Sequence, residues 1–420
     1  IIKSEKIIVR NYSKQKMTVF LKKLGPGLLF AGAAIGVSHL VQSTKAGADY
    51  GLGLIWALIL VNIFKYPFFQ FGPRYALATG ESLLSGYKKL GKGILICYYT
   101  LTFATMFTIQ TAVTIVTAGL AHSLFGNILT IEMWTVVILT LCVIMLIVGR
   151  YNLLDQLIKI IIIVLTISTL VSVTMALFKT DIPLSYVQIF PKEAIDIGFL
   201  IAFMGWMPAP LDISVWHSLW AVEKNNNDNK YNLKTGLFDF NIGYFATIFL
   251  GLCFVFLGYL VMFNQNETFS SNGGLFANQL IDMYTSSLGQ WAYIIIGIAA
   301  FTTMFSTTLT TLDASPRAMQ KTSQLLFNKS FSKGYLFWIL LLVFGTIVIF
   351  FVFASEMGLL IKIATILSFI TAPFYAVINY MLICSKHTPE KWRPSTLMHV
   401  LSWLGILFLL GFSIWYITQL

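Results

Sequence analysis

Between Met207 and Asp212 the chain sets a thioether, two prolines and a carboxylate into six consecutive positions, MPAPLD. A thioether sulfur favours soft transition metals, and a carboxylate supplies charge to offset the dehydration of a cation. His39, at the end of Gly36-Val37-Ser38-His39, adds an imidazole, which ligates transition metals or carries a proton near neutral pH. His39, Met207 and Asp212 are therefore the candidate metal ligands. Gly36, Ser38, Pro208 and Ala209 complete a candidate substrate-binding set, with the carbonyls of Gly36 and Ala209 as further donors. Gln110 and Thr371 are secondary candidates. His217, two turns beyond the prolines, reads as structural. Nucleotide-binding and HExxH motifs are absent, as is any cluster of acids and histidines suited to catalysis, so an enzyme is not expected.

These residues lie in apolar surroundings. The chain has 420 residues, of which 57% are hydrophobic and 11% charged; soluble domains carry about 25% charged residues. An all-α integral membrane protein is expected, its environment the lipid bilayer. A spanning helix needs roughly 20 mainly apolar residues, and eleven stretches qualify: 25–48, 52–79, 94–122, 128–149, 153–178, 195–222, 235–263, 287–315, 334–354, 357–384 and 395–419. The longest polar loops fall at 223–234, 264–286 and 316–333. Residues 1–23 are polar and basic, with no short apolar run ahead of a cleavage site, so no cleaved leader is expected. The four cysteines are widely spaced in apolar context and read as packing residues.

The net charge of +11 follows from topology. With the N-terminus inside, 22 lysines and arginines fall on cytoplasmic segments and two, Lys179 and Lys192, on the other side. Such an imbalance orients a multi-pass protein in the plasma (inner) membrane with its N-terminus cytoplasmic and, after eleven spans, its C-terminus outside. It also accounts for the basicity without a nucleic-acid partner.

Spans 1 and 6 then run in opposite directions, and each contains a break. Pro208 and Pro210 lack amide hydrogens and disfavour helix in the residues before them, so span 6 must unwind, with Asp212 placed to start its second half. Gly32 and Gly36 permit a break in span 1, near residues 36–39. Paired interruptions at corresponding positions of two halves point to a transporter's binding site at the repeat interface. The expected architecture is a 5+5 inverted repeat of the LeuT type plus one extra helix: a cytoplasmic segment 1–23, then one transmembrane domain, 24–420, with repeat one at about 25–178, repeat two at about 195–384 and the extra helix at 395–419.

Other polar residues within the spans are less specific. Threonines at 102, 105, 108, 111, 114 and 117 recur every three residues, which drifts about 60° per step on a helix, so they cannot all face one pathway. Thr303, Ser306, Thr307, Thr310 and Asp313 do form a stripe. Small hydroxyl residues usually serve helix packing in membranes. Lys45 and Asp49 are spaced to pair. Lys65, Lys159 and Lys362 either snorkel or pair. Asn266-Glu267-Thr268 matches a glycosylation sequon and is assigned no role.

Several segments resemble the NRAMP family of divalent-metal transporters. LGPGLLFAGAA (Leu24 to Ala34) and KAGADYGLGLIWALIL (Lys45 to Leu60) look like that family's first span and its continuation. GRYNLLDQLI (Gly149 to Ile158), with Asp155 at the place of an acid, resembles its fifth, and TAPFYAVI (Thr371 to Ile378) its tenth. Met207-Pro208 followed by HSLW (His217 to Trp220) resembles its sixth. The resemblance implies a LeuT-type fold, symport, and a divalent metal ion as substrate, with no cofactor. The departures fall on the site. Where the family carries Asp-Pro-Gly-Asn, this chain has Gly36-Val37-Ser38-His39; where the family has Met-Pro-His-Asn, it has Met207-Pro208-Ala209-Pro210. Matching HSLW requires about three extra residues after the break. The acids the family uses for proton movement in its third span are missing, with Gln110 or Thr111 near that place, and Thr371 stands where a metal-binding glutamine is expected. A rewired, weak metal site is one reading; the alternative is a transporter on the same scaffold for another small solute, such as an amino-acid-like zwitterion. Without the third-span acids, little dependence on a proton gradient is expected, unless His39 carries the proton.

The charge distribution is testable directly. A cysteine replacing Asp228 should resist an impermeant thiol reagent added to intact cells and react once the membrane is permeabilised; labelling from outside would invert the topology.

Overall fold

The computed structural model describes residues 25–126, 128–149, 151–179, 185–228, 231–263, 270, 273–329, 332–353 and 357–419. The segment 1–23 and the sequon at 266–268 lie outside these residues, as do the side chains of Asp155 and Lys159. The described residues are helical, without strands.

Span 1 is made of α1 (Pro26–Ala34), a π-helical turn (Ser38–Ser43) and α2 (Thr44–Tyr50), with a bend of 46° between the two halves. The chain continues through α3 (Ile55–Thr79), a short α4 (Leu83–Leu90), α5 (Lys92–Phe125), α6 (Ile131–Val148) and α7 (Tyr151–Lys179). Span 6 is split into α8 (Ala194–Trp206) and α9 (Ile213–Asn227). Then come α10 (Leu233–Met262), α11 (Gly273–Leu288), α12 (Tyr293–Phe327), α13 (Gly334–Phe353), α14 (Met357–Cys384) and α15 (Thr396–Ile417). Eight of these are long and apolar enough to cross a membrane alone; the bent span 1, the apolar α7 and the split span 6 occupy the remaining positions of the eleven.

Three expectations are corrected. The segment 264–286 is not wholly a loop, since α11 occupies its second half. α12 runs to Phe327, turning most of the expected loop 316–333 into helix despite Pro316. The segment between spans 2 and 3 folds into α4. α4, α11 and the last turns of α12 are too short or too polar to read as spans, and nothing in a search for apolar runs detects them.

Span 1 depends on α10. The first amides of a helix have no partner within it, and α1 has no side-chain cap of its own. Asp239, on α10, accepts hydrogen bonds from the Gly25 amide (3.1 Å) and the Gly27 amide (2.8 Å), and from the Tyr231 hydroxyl (2.9 Å). Backbones also touch: a Cβ on Gly47 would lie 2.0 Å from the Val255 carbonyl oxygen, and one on Gly258 would lie 2.2 Å from that of Thr44. Without a hydrophobic force between helices in lipid, such close approach of small residues is what drives association.

Gly258→Val should therefore cost about 2 kcal/mol or more through overpacking. Gly411→Ala, on α15 where a Cβ meets nothing within 4 Å, should be neutral or gain up to about 1 kcal/mol in helix propensity. Thermal unfolding in detergent reads both; equal effects would mean that the α2–α10 contact is not close.

Candidate functional site

The two breaks are built differently. In span 1 the chain leaves helical geometry at Ile35, with ψ near 86°, and recovers by Ser38. The expectation that Ser38 and His39 are unwound is corrected: both lie in the π-helical turn, Val37 is already helical, and the break is Ile35 and Gly36. The Gly36 carbonyl, expected as a free donor, accepts from the His39 and Leu40 amides (3.1 and 2.9 Å). Thr307 of α12 crosses the gap, its hydroxyl lying 3.2 Å from the Gly32 carbonyl oxygen and 3.4 Å from that of Ile35. A Cβ on Gly36 would come 2.9 Å from that same hydroxyl, which is the physical reason for glycine there.

In span 6 the residues from Met207 to Asp212 are unwound, with a cis bond between Met207 and Pro208. The carbonyls freed by the two prolines meet a cation. Lys65, fully buried on α3, places Nζ 2.8 Å from the Met204 carbonyl oxygen, 2.7 Å from Gly205, 3.1 Å from Met207 and 3.3 Å from Ala209. Sequence reasoning left Lys65 open between snorkelling and pairing; its position midway along a span was the signal, since a charge there is expensive.

The three candidate ligands separate. His39 and Met207 flank Gly251 of α10, a Cβ on which would lie 3.4 Å from Met207 Sδ and 3.7 Å from His39 Cδ2. Both imidazole nitrogens are engaged within the protein. Nε2 donates to the Thr247 carbonyl at 2.9 Å, while Nδ1 lies 2.7 Å from the Ser38 hydroxyl and 3.1 Å from the Ala34 carbonyl. Met207 Sδ accepts from the Ser43 hydroxyl at 3.8 Å. The Ser38 hydroxyl lies 2.6 Å from Ala34 O and has one proton to share between that oxygen and His39 Nδ1; it also lines a cavity of about 20 Å³ between α1, α5, α12 and the break.

Asp212 opens onto a different space, a cavity of about 10 Å³ shared with Thr105, Ser368, Thr371 and Tyr375. It occupies the N-cap position of α9 but makes no side-chain cap bond, and its Oδ1 has no hydrogen-bond partner among the described residues. Of the neighbouring hydroxyls, those of Thr105, Ser368 and Thr371 have spent their protons. Thr105 donates to Leu101 O (2.9 Å), Ser368 to Ala364 O (2.8 Å) and Thr371 to Leu367 O (2.9 Å), each one turn back on its own helix. What they can offer the cavity is lone pairs. Asp212 and Thr371 are thus brought together with Thr105 and Ser368, which sequence reasoning did not single out. Gln110 is elsewhere and saturated: its amide donates to Thr308 O and Thr114 Oγ1, both at 3.2 Å, and its oxygen accepts from Thr311 at 2.7 Å. Of the expected stripe, which lies on α12, Asp313 is held by Arg317 Nε at 2.7 Å and by the Tyr335 hydroxyl. No group of three or more His, Cys, Asp or Glu among the described residues is placed to hold a metal.

The profile of the Nramp (natural resistance-associated macrophage protein-like) family matches residues 27–419. The chain is 37% identical over 403 residues to an uncharacterized protein of Pasteurella multocida (strain Pm70), covering 94% of this chain and 92% of that protein. Among solved structures, a mutant of the manganese transporter of Eremococcus coleocola superposes with a TM-score of 0.73 at 13% identity, covering 94% of this chain and 86% of that one. MhsT, in complex with L-phenylalanine, gives 0.67 at 12% identity, with 93% and 98% covered. At such identities the structural likenesses establish the fold, which is of the LeuT type.

The bonding of His39 predicts its mutational behaviour. His39→Ala removes these bonds and leaves a cavity, and should cost about 2 kcal/mol of stability, read by thermal unfolding, while leaving ligand affinity of the folded protein within about threefold. A variant as stable as the parent would show that these bonds contribute nothing.

Proposed function

The chain belongs to the Nramp family of membrane transporters, and from that premise we propose that it is a secondary-active transporter of a divalent cation, held midway through the protein by the oxygens around Asp212. The observation that carries this reading is the acceptor-rich wall: a carboxylate oxygen without a partner among the described residues, facing the Thr105, Ser368 and Thr371 hydroxyls, whose protons are already donated, with Tyr375 completing the lining. Such a wall suits a bare cation. Oxygen donors favour hard ions such as magnesium and manganese over the soft metals that a thioether and an imidazole select. Asp212, Thr371, Thr105 and Ser368 are the proposed cation-contacting side chains. Met207 and His39 line the other side of the break and shape it, together with Ser38, Pro208, Ala209 and Gly36.

The affinity this arrangement supports is modest. Lys65 and Asp212 interact electrostatically, so the site begins near neutrality, and a dication must shed water for a single carboxylate. The orientation proposed is N-terminus cytoplasmic, C-terminus outside, in the plasma membrane. A second reading draws on the same wall. The ammonium group of a small zwitterion also presents only donors, and it matches acceptor oxygens as a cation does.

Calorimetry with manganese and magnesium on purified protein separates the two readings. Binding should be measurable, should fall at least about tenfold in Asp212→Asn on loss of the carboxylate, and should stay within about threefold in Met207→Leu. Loss of binding in Met207→Leu with retention in Asp212→Asn would return the site to the soft-ligand set. No heat with any dication, alongside binding of an amino-acid-like solute, would establish the second reading.

A further inference from the structure

Lys65 does more than pair with a neighbouring acid. Its Nζ is surrounded by four carbonyl oxygens, of Met204, Gly205, Met207 and Ala209, at 2.7–3.3 Å. Two of them end α8, at the negative pole of that half-helix, and two belong to the unwound segment. Every one is an acceptor, and an ammonium has three hydrogens and no lone pair to offer. Converging carbonyls at a half-helix C-terminus are how transporters and channels coordinate a dehydrated alkali cation. The side chain is fully buried, so no water shell contributes. An ammonium and an alkali ion are interchangeable in such a cage, since both ask only for lone pairs.

We propose that Lys65 is a tethered cation: its ammonium fills an alkali-ion cage formed by the interrupted span 6, so that the break is held without a bound co-ion at that position. The cage is thereby closed to diffusible cations in the parent protein and opened to them when the side chain is removed. This rests on the carbonyl geometry alone, so its failure would leave the reading of the Asp212 cavity standing, and the failure of that reading would leave this one.

The test is thermal unfolding of the purified full chain, parent and Lys65→Ala, in choline chloride and with choline replaced at constant ionic strength by sodium, potassium or methylammonium. The parent should unfold at the same temperature in all four salts. Lys65→Ala should be destabilised in choline and recover saturably, by about 3 °C or more, in at least one of the smaller cations. A merely structural lysine gives the loss without the cation-specific recovery. If Lys65→Ala yields no folded protein in choline, its yield of monodisperse protein in sodium, potassium or methylammonium is the same measurement, and failure in all of them overturns the proposal. So does a folded Lys65→Ala indifferent to the salt, or a parent protein that is itself stabilised saturably by an alkali cation. Lys65→Arg, which keeps the charge, should fold and show no cation dependence.

Discussion

A carbonyl left without a donor inside a lipid-embedded bundle costs several kcal/mol, because no water is there to take it. Two helices of this protein are interrupted at that depth, and the rest of the architecture is arranged around what donates to them. Lys65 gathers four carbonyls of the sixth span, Thr307 reaches two of the first, and Asp239 accepts the amides that open the first span. Each comes from a different helix. The breaks are thus held by neighbours rather than by local sequence: α3 must keep its place for the break in the sixth span and α12 for that in the first, while α10 anchors the start of the first span.

The same principle separates groups that bind from groups that merely brace. A polar side chain whose hydrogen-bonding capacity is used up by the protein has little left for a ligand. His39, Gln110 and Ser38 are of that kind, each with its polar atoms matched inside the bundle. Asp212 differs: it keeps an oxygen without a partner among the described residues, beside the Thr105, Ser368 and Thr371 hydroxyls, whose protons are donated elsewhere. Chemistry that looked alike in the chain, an imidazole here and a carboxylate there, divides once each atom's partners are counted.

Charge follows a similar logic. A buried ammonium is tolerable because carbonyl dipoles surround it, and its presence sets the electrostatic background against which Asp212 acts. A site with one fixed positive and one negative charge binds a dication less tightly than a site with the carboxylate alone. This gives a physical reason why a family scaffold that has lost its first-span acid and asparagine would work at low affinity, or turn to a less charged solute.

The eleven apolar stretches, the opposed directions of the two broken spans and the unwinding at Pro208 and Pro210 were legible in the chain, because length, apolarity and the missing proline amides act locally. The family likeness was legible too, in motifs such as LGPGLLFAGAA. The short helices α4 and α11 and the long reach of α12 were not, since they are amphipathic or polar and draw their stability from packing. The position of the first break shifted by a residue or two, because glycine permits a bend without dictating where Thr307 will let it occur. Which side chains share a cavity was a matter of tertiary structure alone. Met207 and Asp212 are five residues apart, yet the unwound segment between them turns one toward His39 and the other toward Thr371. Lys65 lies in another span, about 140 residues from the carbonyls it holds. A sequence lists donors and acceptors; only the packed helices decide which of them meet.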